Sequence, residues 1–282
     1  MDRKDYIGSS DAAAVLGLSR WRTLIQVWAE KTGKLPVEDI SKKIQIRVGV
    51  KVENSIAEMF EEEKGVKVRR VNNTIMHPKY PYLGATLDRK IEGQRWILEC
   101  KSTGYDKEWQ DGEIPQEHLV QVYHQLACTG YEKAYIAVLI LNQDFKIIEI
   151  ERDEDVLNSL IKKEVDFWNE YVVKDVMPSQ VMSEDTDVLL KLFPKAMPQQ
   201  KILLGDEVNR KLESLEAIKQ DLFVLEKEEA KLKNELKLLI KENEIGETGQ
   251  WQIKWSNVHK DAYEVKAQDY RTFRYKKLKK ED

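Results

Sequence analysis

The chain has 282 residues, 41% of them hydrophobic and 34% charged, enough to bury one substantial core and still carry an appendage. Its formal charge of −4 is unlike the basic footprint usual for nucleic-acid proteins, but it does not exclude one, because phosphate attraction acts locally and is screened beyond about 8–10 Å in physiological salt. No apolar run is long enough to span a membrane, no charged-then-apolar signal segment opens the chain, and two cysteines make no disulfide framework, so a soluble intracellular protein is expected.

Residues 10–16 and 23–31 read as short helices, the second with Leu24, Val27 and Trp28 at helical spacing. A long helix is predicted over about residues 42–64, with Val48, Val52, Ile56, Met59 and Phe60 as its apolar stripe. Glu53 lies beside that stripe and reads, on pattern alone, as a solvated residue. Two apolar-rich runs, 82–91 and 96–101, flank Gly93-Gln94, whose leading glycine suits the type II′ turn of a hairpin. A helix over 116–129, strands over 134–141 and 146–151, and a helix over 153–172 follow. Together these elements predict an α/β core, a mixed sheet covered by helices.

Residues 176–204, with Pro178, Pro194 and Pro198, read as a linker with at most short helices. Beyond Gly205, Leu215, Ile218, Leu222, Leu225, Leu232, Leu236 and Leu239 recur in alternating three- and four-residue steps, interrupted by Glu229. They predict a long helix over 205–246 that pairs as a coiled coil or packs on the core. The remainder, 247–282, places Trp251, Ile253 and Trp255 on one strand face and closes with basic residues interleaved with aromatics over 270–277. An edge strand with a solvated tail is favoured there over a base-stacking surface. The domain reading is thus a core over 1–175, a linker over 176–204, a long helix and a small strand-rich tail.

The chemistry concentrates in the hairpin. With Glu92 opposite Arg95, counting outward puts Asp88 across from Glu99, neighbouring side chains on such a pair being about 5 Å apart. Alternation sets Lys101 on the Glu99 face and turns Cys100 the other way, its carbonyl at the sheet edge. Two opposed carboxylates repel unless a cation sits between them. A hard cation such as Mg²⁺, which takes oxygen ligands and keeps several waters, would be met by Asp88, Glu99 and the Cys100 carbonyl. Lys101 could then orient or help deprotonate an attacking water and steady charge on a scissile phosphate. The Glu-x-Lys triplet occurs five times in the chain, so it carries little alone; only at Glu99 does it follow an apolar strand and face an aspartate across a turn. The plain alternative is an exposed hairpin with a cross-strand ion cluster.

Leu87-Asp88 and Glu99-Cys100-Lys101 resemble the two elements of the PD-(D/E)XK nuclease core. The flanks narrow the resemblance. Tyr6-Ile-Gly-Ser-Ser10 through Trp21, Trp28-Ala-Glu-Lys-Thr-Gly33, Ile114-Pro115 and Gln121-Val-Tyr-His-Gln125 are similar, in order, to motifs of the YqaJ-like viral recombinases, relatives of phage lambda exonuclease. The resemblance spans about residues 3–172 and implies a restriction-endonuclease-like fold with Mg²⁺, or Mn²⁺ in its place. It implies that Glu53, in Gly49-x-x-x-Glu53, assists the metal and that Gln121 sits by the active site, although on sequence alone Gln121 and Gln125 also read as a structural amide pair. His118 stands where the family has tyrosine and is given no role; His77-Pro78 reads as a loop. Alignment on Gly8-Ser-Ser10 implies that Arg3, or Lys4 in its place, and Ser10, with Thr86, hold a DNA 5′-phosphate. Two cysteines are too few for the iron–sulfur members of the superfamily.

The implied activity is digestion of linear double-stranded DNA from its ends, 5′ to 3′, leaving a single strand for the annealing protein of a phage recombination system. A ring-shaped homotrimer, encoded by a phage or prophage and working in the bacterial cytoplasm, goes with it. The alternatives are a structure- or site-specific endonuclease on the same core and a nonenzymatic DNA-binding scaffold built on the long helix.

Overall fold

In the computed structural model, which describes residues 2–104, 107–141, 143–262, 271 and 273–275, strand β1 (Ile7–Gly8) leads directly into helix α1 (Ser9–Val15). Helix α2 (Leu24–Lys31) starts at Thr23, whose hydroxyl accepts the Gln26 N–H at 3.1 Å. Helix α3 (Ile44–Lys64) stops at Gly65, which takes φ +64°, a left-handed cap that any Cβ would strain. Then come strands β2 (Val68–Arg70), β3 (Ile75–Met76), β4 (Leu83–Ala85), β5 (Arg89–Ile91) and β6 (Trp96–Thr103). Helix α4 (Gln116–Thr129), strands β7 (Lys133–Ile140) and β8 (Asp144–Glu151), helix α5 (Glu154–Phe167) and helix α6 (Thr186–Leu192) complete the first of two units, which spans Met1–Pro194.

The main sheet has the order β2-β5-β6-β7-β8, antiparallel throughout except for β6 and β7, which run parallel with α4 as their crossover. Side-chain alternation divides the core in two. Leu98, Tyr135 and Ala137 pack with Ile56, Ala57 and Phe60 of α3 on one face; Ile97, Ile136, Val138 and Ile140 pack toward α1, α2, α4 and α5 on the other. A smaller sheet, β1-β4-β3, pairs Gly8 with Gly84 in parallel and Met76 with Gly84 antiparallel. The predicted class, a mixed sheet flanked by helices with a helical C-terminal extension, is the one observed.

Three local expectations are corrected. The run 82–91 is not one strand: β4 belongs to the small sheet and β5 to the large one, and Thr86, Leu87 and Asp88 cross between them. The hairpin tip is not a two-residue II′ turn. Gln94 N–H bonds to Ile91 O at 3.4 Å with Gly93 at φ +72°, so the turn is centred one residue earlier, in a four-residue loop. Finally, part of the expected linker belongs to the core, because α6 buries Val188 against it and Leu192 packs alongside.

Helix α4 is fastened to α5 and β4 by a buried histidine. His124 Nδ1 lies 2.6 Å from Glu164 Oε1 and Nε2 lies 3.1 Å from the Gly84 carbonyl. A carboxylate and a carbonyl only accept, so both ring nitrogens donate and the imidazole is protonated. Burial alone would lower its pKa, but Cys128 and Glu164 outweigh burial and hold it well above the ordinary value.

The second unit, Lys195–Asp282, holds helix α7 (Glu207–Ile240) and a hairpin of β9 (Ile245–Glu247) and β10 (Gln252–Lys254). Within the unit the predicted apolar stripe, including Ile218, Leu222, Leu225, Leu232, Leu236 and Leu239, is exposed, and Ile240 is the buried end of the helix. Of Trp251, Ile253 and Trp255 only Ile253 lies within a strand; residues 270, 272, 276 and 277 of the basic aromatic stretch fall outside the described residues. Among the described residues no helix is long and apolar enough to cross a membrane.

The His124 pair has a pH signature. A histidine whose native pKa is raised stabilises the fold fully below its unfolded value near 6.5 and loses that contribution as pH rises through the native value. His124→Gln should cost about 3–5 kcal/mol near pH 6, where it leaves a buried carboxylate uncompensated. Urea unfolding should show the gap to wild type narrowing on alkaline titration; a gap that widens would contradict the assignment.

Candidate active site

The sheet register builds the site. β5 and β6 pair Arg89 with Leu98 and Lys90 with Ile97, so the next couple outward is Asp88 and Glu99, as the sequence register predicts. The ladder has ended there, and the Asp88 carboxylate replaces it: Oδ2 accepts the Cys100 N–H at 2.8 Å. A residue in a strand points its N–H and C=O to the same side, so the Cys100 carbonyl also faces the Asp88 edge.

Glu99, 3% exposed, lies on the face of β6 that α4 covers. Its Oε1 accepts from Lys101 Nζ at 2.7 Å and from Gln121 Nε2 at 2.6 Å, while Gln121 Oε1 accepts from Lys101 Nζ at 2.9 Å. The three side chains form a closed triangle. Glu99 Oε2 accepts from Gln125 Nε2 at 2.7 Å, and the same amide donates to the Thr86 carbonyl at 3.1 Å. Gln125 was visible in the sequence only as the residue one helical turn beyond Gln121.

Burial, and after it the charge of Glu99, pushes Asp88 up to about 7, with Lys101 pulling the other way. Lys101 behaves oppositely: burial would lower it, but Glu99 and Asp88 outweigh burial and hold its ammonium above the ordinary value. Burial pushes the Cys100 thiol up, so Cys100 supplies a backbone group rather than a thiolate. His118, at the start of α4, is pushed down to about 3 by burial and by Lys101 and Arg20, and its ring stacks on Trp109 with centroids 5.4 Å apart. It stands beside the cluster as a neutral ring.

Glu53 lies beside the site, held by two arginines. Its Oε1 accepts from Arg89 Nη1 and, at 3.3 Å, from Arg70 Nη2, and Arg89 Nη1 in turn donates to the Asp88 carbonyl at 2.7 Å. Glu53 therefore reaches Asp88 both through an arginine and by its charge, which adds to the upward push on the Asp88 carboxyl. Among the described residues no group of three or more His, Cys, Asp or Glu side chains is gathered to hold a metal. The donor set is two carboxylates and a carbonyl, all oxygen. It suits a hard divalent cation that keeps most of its waters and not a closed nitrogen and sulfur site.

Arg3, Ser10 and Thr86 lie around the β1–β4 pair. Arg3 Nη2 donates to Ser10 Oγ at 2.8 Å, and its guanidinium lies over Gly8 so closely that a Cβ there would stand 1.6 Å from Nη1. Thr86 is exposed and follows β4. Beneath them is a group that the sequence reading missed. Asp11, fully buried, binds Lys31 at 2.8 Å, Arg3 at 3.2 Å and Arg22, while Arg22 also binds Glu30. Burial would raise Asp11, but Arg22, Lys31 and Arg3 together hold it below the carboxylate range. The available signal was its spacing: Asp11 Oδ2 accepts the Gly8 N–H at 3.0 Å, as a carboxylate three residues into a helix does.

A family model for the YqaJ-like viral recombinase domain matches residues 1–132, which include every group of the Glu99 cluster. The chain is 36% identical over 287 residues to the uncharacterized protein YqaJ of Bacillus subtilis (strain 168), a match covering 100% of this chain and 90% of that one. Among solved structures it is similar to LHK-Exo, an alkaline exonuclease from Laribacter hongkongensis, both in a complex with dAMP and in a second crystal structure. In each case the TM-score is 0.53 at 18% identity, over 62% of this chain and 91% of the other, which shows a shared fold.

The Asp88 shift sets a direct test. Because the native carboxyl keeps a proton that the unfolded chain has lost between pH 3.8 and about 7, this group makes stability fall as pH rises through that window. Glu99→Gln should bring the Asp88 midpoint down, though not to 3.8, since burial is the larger cause. Carbon-13 titration of the aspartate carboxyls reads it, and an unmoved midpoint would refute the coupling.

Proposed function

The chain belongs to the YqaJ-like viral recombinase family, and from that footing we propose that it is a magnesium-dependent exonuclease acting on linear double-stranded DNA. It digests from the ends, 5′ to 3′, and leaves single strand for the annealing protein of a phage-type recombination system. The observation that carries this reading is the Asp88, Glu99 and Lys101 cluster, in which Asp88 stands across the strand pair from Glu99 and Lys101 Nζ lies 2.7 Å from Glu99 Oε1. Asp88, Glu99 and the Cys100 carbonyl would hold Mg²⁺, or Mn²⁺, which when bound supplies Lewis acidity to the phosphate and an activated water.

The side chains divide the remaining work. Lys101 stays protonated, so it orients the water and steadies the charge developing on the phosphate rather than removing a proton. Gln121 locks Lys101 to Glu99. Glu53 assists by setting Arg89 against the Asp88 carbonyl and by its negative charge beside Asp88. Arg3, Ser10 and Thr86 take the 5′-phosphate. Gly8 leaves room for the Arg3 guanidinium, and the pairing of Gly8 with Gly84 brings that end of the chain to the strand preceding Thr86. Arg3, Arg22 and Lys31 face two carboxylates, Asp11 and Glu30, so the patch keeps one net positive charge for a phosphate. Family membership supports a homotrimer around the duplex and a phage or prophage gene expressed in the bacterial cytoplasm.

Digestion of linear and covalently closed circular duplex, with Mg²⁺ or EDTA and with 5′-phosphorylated or unphosphorylated ends, tests the reading. Linear DNA alone should disappear, only with Mg²⁺ and faster when phosphorylated, and Glu99→Ala should fall to background. Nicking of the circle would instead indicate an endonuclease, and no cleavage of either a binding role. Lys101→Ala should lose about 10²–10³-fold in kcat, the scale for a donor that stabilises transition-state charge. Arg3→Gln should erase roughly 10- to 100-fold of preference for the phosphorylated end, equivalent to one charge-assisted hydrogen bond.

A further inference from the structure

Resting on that reading, we infer that Gln125 is the positioning residue that aims the metal-binding oxygen of Glu99. A carboxylate oxygen accepts about two hydrogen bonds. Glu99 Oε1 already receives two, from Lys101 Nζ at 2.7 Å and Gln121 Nε2 at 2.6 Å, so it is filled. Oε2 receives the Gln125 amide at 2.7 Å and keeps a lone pair for a cation. The oxygen free to bind is therefore the one that Gln125 holds.

The orientation of Gln125 is fixed by its surroundings. Its Nε2 stands between Glu99 Oε2 and the Thr86 carbonyl at 3.1 Å, both acceptors, so a reversed amide would set oxygen against oxygen twice. Thr86 sits in the crossing between the two sheets, two residues before Asp88, and the amide thus ties the segment carrying one carboxylate to the other carboxylate itself. Gln125 is fully buried, and its Oε1 has no partner there. A side chain needed only to fill space would avoid that destabilising acceptor; an apolar residue of the same length would do better. What only an amide supplies at this position is one donor to each of the two acceptors.

The test compares wild type, Gln125→Met and Gln121→Met as full chains, by calorimetric titration with Mg²⁺ in the absence of DNA and by digestion kinetics on linear duplex. Gln125→Met should bind Mg²⁺ roughly 10- to 100-fold more weakly, the range seen when the partner of a metal ligand is removed, and should lower kcat with little change in KM for DNA. Gln121→Met should weaken Mg²⁺ less, because Lys101 still holds Oε1. Thermal melting verifies the fold of each variant; if Gln125→Met does not fold, Gln125→Asn, which keeps an amide too short to span both acceptors, should show the same loss. Wild-type Mg²⁺ affinity in the Gln125 variant, or an equal loss in Gln121→Met, overturns the inference while leaving the nuclease reading intact. A wild-type protein that takes up no Mg²⁺ overturns both.

Discussion

Glu99 is a carboxylate set into the packed face of a sheet, where an ion without partners costs several kcal/mol. It is tolerated because α4 presents Gln121 and Gln125, one turn apart, to its two oxygens and because Lys101, two residues along the same strand, returns to it. The rest of the site follows from that seating. Burial and repulsion from Glu99 fall on Asp88, which takes up the strain as a raised pKa, and Lys101 is kept cationic by Glu99 and Asp88. Strand, helix and charge state are therefore one arrangement.

The architecture explains why α4 can reach. Because β6 and β7 are parallel, the chain must cross back over the sheet between them, and α4 is that crossover, laid on the face to which Glu99 and Lys101 point. Val122 and Leu126 anchor it in the core, and His124 bolts it sideways to Glu164 and Gly84. One helix thus fixes the acid cluster with one row of side chains and the surrounding elements with another. Opposite it, α3 closes the other face with Ile56 and Phe60 and contributes Glu53, which holds Arg89 and adds its charge to the field at Asp88.

Much of this was legible in the residues. The β5–β6 register needed only the position of the hairpin, and the helix expected over 116–129 has the bounds of α4. The failures share a physical origin in contacts distant along the chain. Nothing local says that 82–91 divides between two sheets, since the division is made by the pairing of Gly84 with Gly8 and Met76. Asp11 went unassigned because the cations that surround it come from three separate segments.

Strand β6 also dictates where this chain can tolerate a change of length. Its side chains alternate between an apolar layer against α3 and the polar cluster under α4, so one residue inserted between Trp96 and Glu99 would turn Glu99 and Lys101 into the layer of Ile56 and Phe60 and bring Cys100 out in their place. The spacing from the tip to the acid is therefore a reading frame that admits no single-residue indel. The tip itself, residues 92–95, is exposed and outside the ladder, and it is the point on this hairpin where residues, or a spectroscopic label, can be added without shifting the frame.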